Sequence, residues 1–271
     1  MKTTAATIGL CVALAGHAWA QTNQGLVIVG QKVVSAPTNG NAKLLKSDLD
    51  ASIDYFDKAI ALRPNDAGSY AARAHFKEIK NDLDGALMDD NKAIELKPDL
   101  AEAFINRGRV KFQKGDLNGA LTDLNKGIEL EPDNAYAYDD RGRVKGIQEN
   151  GDGALSDFSK AIELNPKFAE AYAARGWVKF KKNDLDSALA DFNKAIELKP
   201  NDAYAYDGCG AVKSIKEDLD GALADFNNVI ALKPDDADAY KDRGDVKKRK
   251  GDLDGAQADF KKAAELNTKL R

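Results

Sequence analysis

Beyond residue 20 the sequence holds one cysteine (Cys209), one histidine (His75) and one tryptophan (Trp177). Those three bound the chemistry it can do. A Ser-His-Asp triad would have to use His75, because serine is a weak nucleophile until a base takes its proton. A zinc site would start from one His and one Cys in distant parts of the chain, short of the three or four ligands the ion takes. Neither GxGxxG nor GxxxxGK[ST] occurs, so no glycine-rich loop offers its N–H groups to a phosphate. Asp and Glu together number 44, and none stands out as a catalytic pair. The reading is of a protein that is not an enzyme and takes no cofactor or metal. A hydrolase with paired carboxylates is the formal alternative.

Hydrophobic residues are 43% and charged residues 31% of 271 positions, the balance of a soluble, folded chain. The formal charge of −4 argues against nucleic acid, which demands a basic face. The first twenty residues differ from the rest. Lys2 is a positive start, "AATIGLCVALA" (5–15) an apolar core and Ala18-Trp19-Ala20 a small-x-small end. This reads as a secretory signal cleaved after Ala20. Eleven apolar residues are too few for a bilayer, which needs about 20 in a helix. The expectation is an exported protein, periplasmic or extracellular, with no membrane span in the mature chain. Cys11, His17 and Trp19 leave with the signal, and one remaining cysteine forms no internal disulfide.

The elements that must position any site come from a period. Pro64, Pro98, Pro132, Pro166, Pro200 and Pro234 lie 34 residues apart, and Thr268 takes the next slot. Such regularity marks stacked supersecondary units. Residues 169–202, "AEAYAARGWVKFKKNDLDSALADFNKAIELKPND", divide into two helices. The first runs roughly from Ala169 to Lys182. Asn183 suits a left-handed turn and Asp184 an N-cap. Leu185, Ala188, Leu189, Phe192, Ala195 and Ile196 give the second helix its 3.6-residue apolar face. Pro200 stops it, because the residue before a proline is pushed out of helical geometry. Gly108, Gly142, Gly176, Gly210 and Gly244 recur in mid-helix at a cost of about 1 kcal/mol each relative to Ala. With Ala86, Ala120, Ala154, Ala188 and Ala222 in the partner helices, they are expected to let two backbones approach closely.

This pattern resembles the tetratricopeptide repeat family, whose aromatic, small, Ala, aromatic, Ala and Pro signature is matched by Tyr172, Gly176, Ala188, Phe192, Ala195 and Pro200. The match covers about residues 48–266. It departs from the family at the usual Leu before the Gly, which is Arg73, Arg107, Arg141, Arg175 and Arg243, and at a later Tyr, which is Lys77, Lys111, Lys145, Lys179, Lys213 and Lys247. The resemblance implies an all-α, right-handed solenoid whose concave groove binds extended peptides or partner helices, without catalysis. The organisation that follows is a signal (1–20), a flexible leader (21–47), a half repeat (48–66) and repeats at 67–100, 101–134, 135–168, 169–202, 203–236 and 237–271.

The ends differ from the middle. The leader carries a β-prone "LVIVGQKVV" and reads as a linker or as a strand donated to a partner. Near the far end, Gln257 and Ala264 replace the leucines and isoleucines of earlier units, as expected of a cap.

In a repeat array, residues common to every unit serve the lattice and residues that vary can serve a ligand. Asp89, Asp123, Asp157, Asp191, Asp225 and Asp259 form an acidic row matching the Arg and Lys rows. Ion-pair rungs of the type Arg107–Asp123, Arg141–Asp157 and Arg175–Asp191 are expected, the alternative being a basic anion track. Cys209 interrupts the Arg row and is either a small semi-buried residue or a thiol that pairs with another chain. Asp90 stands where Leu124, Phe158, Phe192, Phe226 and Phe260 stand, either buried with a shifted pKa or left hydrated by repacking. The varying positions of the first helices, by resemblance the groove lining, supply Arg109, Phe112, Arg143, Trp177 and Phe180 as candidates, flanked by Tyr136 and Tyr204, with Lys248 at a mixed-charge end. Trp177 either packs into its own repeat or stands as a partly exposed anchor for an acidic, aromatic peptide. The function expected is an exported scaffold binding a protein or peptide; the alternative is an assembly or regulatory subunit acting through its convex face or leader.

Overall fold

The computed structural model of the chain describes residues 26–29, 32–35 and 46–269. The signal at 1–20 lies outside the described residues. Within the leader, β1 (Leu26–Val29) and β2 (Lys32–Ser35) pair antiparallel, Val27 opposite Val34 and Ile28 opposite Val33.

Thirteen helices follow among the described residues: α1 (Lys46–Leu62), α2 (Ala67–Ile79), α3 (Leu83–Leu96), α4 (Ala101–Gln113), α5 (Leu117–Leu130), α6 (Ala135–Ile147), α7 (Gly151–Leu164), α8 (Ala169–Lys181), α9 (Leu185–Leu198), α10 (Ala203–Ile215), α11 (Leu219–Leu232), α12 (Ala237–Arg249) and α13 (Leu253–Lys269). The turn inside each pair follows from two residues. One takes a left-handed conformation, as Asn81 (φ 67°), Gly115 (φ 82°) and Asn183 (φ 62°) do. The next is an N-cap: Asp82, Asp116, Asn150, Asp184 and Asp218 each accept a bond from the N–H three residues on. That bond satisfies a donor the helix itself leaves unpaired, and the carboxylates also meet the positive end of the helix dipole.

The chain divides into two compact units, up to Val144 and from Lys145. In the first, α2 packs on α3 and α4 on α5, and α2 also touches α4. Ile105, Ala120, Leu124, Ile128, Ala137 and Val144 make its largest core. In the second, α8 packs on α9, α10 on α11 and α12 on α13, with α10 touching both α8 and α12. First helices therefore form a layer of their own in each unit. The recurring glycines make room mainly for rings rather than for backbone. A Cβ on Gly176 would lie 2.8 Å from Phe192 Cε1, and one on Gly244 would lie 2.7 Å from Phe260 Cε1. Gly108 also meets backbone closely, 3.2 Å from the Ala120 carbonyl, besides 2.8 Å from Leu124 Cγ. Gln257 and Ala264 are both exposed.

Candidate functional site

The invariant rows resolve into a lattice device. Arg107 donates from Nε and Nη2 to both oxygens of Asp123 at 2.8 and 2.6 Å, and Lys111, one turn on, reaches the same carboxylate at 2.7 Å. Arg73 with Lys77 on Asp89, Arg175 with Lys179 on Asp191, and Arg243 with Lys247 on Asp259 repeat the arrangement. The third guanidinium nitrogen turns back to the preceding second helix: Arg107 Nη1 meets Asn91 Oδ1 at 2.7 Å, Arg243 Nη1 meets Asn227 Oδ1 at 2.7 Å, and Arg175 Nη1 meets the Ser159 hydroxyl at 3.2 Å. Each arginine also lies over a ring three residues earlier, as Arg175 over Tyr172 at 5.6 Å. One side chain thus ties two consecutive second helices to the first helix between them. Arg141 and Asp157 belong to different units; Arg141 donates to Asn125 at 2.8 Å and Lys145 pairs with Asp157 at 2.7 Å. Because the aspartates are buried and bidentate pairing is geometrically demanding, the Arg row is not an open anion track.

Cys209 shows what the arginine does. It is fully buried, its Sγ 3.6 Å from Asn193 Oδ1, and burial pushes the thiol up to about 12. A thiol so placed is neither accessible nor a thiolate, which removes it as a linker to another chain. Asp225 opposite it pairs with Lys213 at 2.7 Å. Burial raises the Asp225 pKa, and the one lysine does not offset it. At Asp259 burial acts the same way, but hydrogen bonds from Arg243 and Lys247 outweigh it and the pKa falls.

The varying residues gather differently in the two units. In the first, Arg109 is engaged rather than presented. Its Nε donates to Glu78 Oε1 and Oε2 at 2.8 and 2.9 Å, and its Nη2 donates to Asn106 Oδ1 at 3.0 Å and lies 3.1 Å from His75 Nδ1. Asp140 stands 3.8 Å from its Nη1. Arg143 donates from Nε to Asp139 Oδ2 at 2.7 Å, one turn back on α6. Neither arginine is the open cation a groove for an acidic peptide needs. Phe112 packs against the Ile105–Leu124 core, and Tyr136 stays 49% exposed. Burial, then Arg109, lowers the His75 pKa to about 3, so its ring is neutral.

Asp90 is the other surprise. It is fully buried and neither carboxyl oxygen has a hydrogen-bond partner. Burial above all pushes its pKa well up. The hydrated alternative is therefore corrected.

In the second unit Trp177 is half-buried at the centre of an aromatic group. Phe180 and Phe192 meet it edge-on, each at 5.4 Å between centroids, and Tyr204 lies tilted at 5.3 Å. Its Nε1 donates to the Tyr204 carbonyl at 3.4 Å, across to α10. One side of Trp177 packs on Phe192, and its neighbour Tyr204 keeps 49% of its surface in solvent. Lys248 is exposed. Among the described residues no group of three or more His, Cys, Asp or Glu side chains is arranged to hold a metal ion, and no helix is long and apolar enough to cross a membrane.

Three family models match the chain: a tetratricopeptide repeat model at residues 169–202, a TPR repeat model at 108–145, and a further tetratricopeptide repeat model at 216–269. The chain belongs to the tetratricopeptide repeat family. Solved structures agree. MamA is 29% identical, with a TM-score of 0.54 over 60% of this chain and 95% of its own. YrrB, a TPR protein with an unusual peptide-binding site, is 29% identical with a TM-score of 0.54 over 69% of this chain and 96% of its own. A tetratricopeptide repeat protein from Parabacteroides merdae shares the fold at 23% identity and a TM-score of 0.62, over 82% of this chain and 88% of its own. No curated protein matches the chain in sequence. TPR proteins serve as protein-interaction scaffolds, and this chain falls in that class.

What the sequence reading missed is that acids claim the two arginines. Asp139 lies four residues before Arg143, a spacing that puts both on one helix face and was legible. Glu78 meets Arg109 from the previous TPR unit, 31 residues away, which only the stacking register reveals.

Proposed function

We propose that the chain is an exported scaffold that binds an extended peptide or a protein segment on the face made by the first helices of its TPR units. The observation that carries this is the half-buried cluster of Trp177, Phe180 and the solvent-facing Tyr204. Invariant positions of the array are filled by lattice contacts, whereas this cluster occupies varying positions and keeps aromatic surface open. Large aromatics with one open side are the residue types that dominate binding energy in interfaces. The peptide-binding site named for YrrB, at 29% identity, lends support. Export rests on the segment from Lys2 to Ala20 and is checked by mass spectrometry of the native protein, which should begin at Gln21.

The binding test uses Trp177 itself, the one tryptophan of the mature chain. Protein captured from the host envelope on the immobilised mature chain should, once purified, shift or quench Trp177 emission. Trp177→Ala should weaken its binding by about 2 kcal/mol, the usual threshold of an aromatic hot spot, with helicity unchanged. A partner that binds equally well to Trp177→Ala, Tyr204→Ala would refute this face and shift attention to the convex side or to the leader.

A further inference from the structure

In the first unit the face of α2, α4 and α6 is over-supplied with carboxylates. Glu78, Asp90, Glu102 and Asp140 all lie within the electrostatic reach of one guanidinium, Arg109. Asp139 is matched by Arg143, and neutral His75 adds no charge. Glu131, after α5, repels Glu102 further.

A cluster of acids is not a site by itself, but two observations point outward from this one. Asp90 is fully buried with both oxygens unpartnered, and Asp140 Oδ2 is likewise enclosed and accepts no hydrogen bond, Arg109 Nη1 standing 3.8 Å away. The direction of Asp90 follows from the repeat. Its counterpart Phe192 sends its ring against the next first helix, where a Cβ on Gly208 would sit 2.3 Å from the ring. The residue equivalent to Gly208 opposite Asp90 is Asn106, whose Oδ1 receives Arg109 at 3.0 Å. By that equivalence Asp90 sits on the side of α3 that meets α4 at Asn106, with Arg109, Glu78 and Glu102 within its electrostatic reach.

We propose that this face receives a cationic side chain, a lysine or arginine of a basic segment in the partner protein, at the acids gathered around Arg109, Glu102 and Asp140 among them. The inference rests on the first-helix face being the binding face and reverses the charge expected of the partner from the sequence, because the two arginines that argued for an acidic ligand are already neutralised. Glu102 and Asp140 are pushed up to about 7, chiefly by burial, so each is partly protonated at neutral pH. An arriving cation favours their ionised forms and must expel protons. The ligand is then taken up with proton release.

The probes are two capped hexapeptides, (Ala-Arg)3 and (Ala-Glu)3, titrated calorimetrically into the full chain at pH 7 and low salt in phosphate and in Tris. (Ala-Arg)3 should bind at least tenfold more tightly than (Ala-Glu)3, with heats that differ between the buffers. Glu102→Gln, Asp140→Asn should lower the (Ala-Arg)3 affinity at least tenfold and abolish the buffer difference. Asp245→Asn, an acid of the second unit, should leave both unchanged. Equal binding of (Ala-Arg)3 to the Glu102/Asp140 variant, or an equal loss with Asp245→Asn, overturns the assignment. If (Ala-Glu)3 binds more tightly and quenches Trp177, the groove reading stands and the charge assignment falls. If neither peptide binds, the cationic site is refuted, whereas the groove reading is decided separately by the Trp177 variants and the native partner.

Discussion

Replacing Asp90 with leucine should make the protein more stable, and increasingly so as the pH rises. Leucine has the branching of aspartate, with methyls where the two oxygens lie, and Leu124 already fills the equivalent place in the next repeat at 0% exposure. Two contributions add. An unpartnered buried polar group costs about 1–3 kcal/mol, and burying a leucine side chain gains about 1.5–3 kcal/mol. Partial overpacking offsets some of this, because Ala74 carries a Cβ where Gly108 gives Leu124 its room; the net expectation is about 2 kcal/mol at pH 7. The pH dependence has a definite sign. The native carboxyl has a raised pKa, so the folded state holds its proton where the unfolded chain, with a pKa of about 3.9, has lost it. Stability therefore falls as pH rises above about 4, by up to about 1.4 kcal/mol per pH unit, until the native group also ionises. The leucine variant lacks this slope. Glu102 and Asp140 contribute the same sign in both proteins, so the difference between the two slopes reports chiefly on Asp90. Urea unfolding followed by circular dichroism from pH 5 to 8 reads the effect as a midpoint gap of roughly 1 M that widens with pH, given a slope of about 1–3 kcal/mol per molar. Ala74→Gly with Asp90→Leu recreates the Gly108–Leu124 pairing and removes the overpacking. If that double variant is no more stable than wild type at pH 8, Asp90 is solvated or partnered and the reasoning fails.

The lattice rungs make three further predictions. Arg175→Ala leaves Asp191 buried with Lys179 alone and should cost about 3 kcal/mol, read as a lowered denaturation midpoint; a change below about 0.5 kcal/mol would show that the rung behaves as an exposed pair. Cys209→Arg, by contrast, supplies the missing guanidinium between Asn193 and Asp225 and should stabilise by about 1 kcal/mol while lowering the Asp225 pKa, visible by carboxyl NMR titration. Gly176→Ala should destabilise despite alanine's better helix propensity, because its Cβ would stand 2.8 Å from Phe192; a thermal midpoint at or above wild type would mean the ring has room to move.

Much of the fold was legible because it is written repeatedly. The Pro at the end of each unit, the Asn183–Asp184 turn and the 3.6-residue apolar stripe each dictate one local geometry, and the first and second helices of 169–202 form at Ala169–Lys181 and Leu185–Leu198. The Arg–Asp rungs were legible for a related reason: an Arg and an Asp lie 16 residues apart in every unit but that of Cys209, and the pairing recurs at Arg73, Arg107, Arg175 and Arg243. The site was less legible. Trp177 could be recognised as a varying aromatic, but its contact with the Tyr204 carbonyl depends on how α10 leans on α8, which no local pattern encodes. Arg109 looked open because its acids come from neighbouring units, Glu78 from one and Asp140 from the other.

The departures from the repeat then acquire a common logic. Where the lattice residue is kept, as at Arg175 or Phe192, its chemistry is spent on neighbours and nothing remains to present. At Cys209 one residue is lost and one aspartate keeps a raised pKa, a local defect closed off by burial. Around Asp90 several departures coincide: an acid replaces a ring, Ala74 replaces a glycine, and Asn106 and Arg109 face them from α4. A single defect of that kind would cost stability and be lost readily, since one substitution to leucine repairs it. Several departures sharing one face, Asp90 and Arg109 among them, are better explained by a ligand that supplies the missing positive charge, because binding then recovers what the free protein forgoes. The same coincidence predicts that stabilising variants at Asp90 should not be neutral for binding: removing a carboxylate that helps hold a cation should weaken (Ala-Arg)3 as it strengthens the fold. If Asp90→Leu raises stability and leaves that affinity unchanged, Asp90 is a defect of packing alone and the cation is held by Glu102 and Asp140 without it.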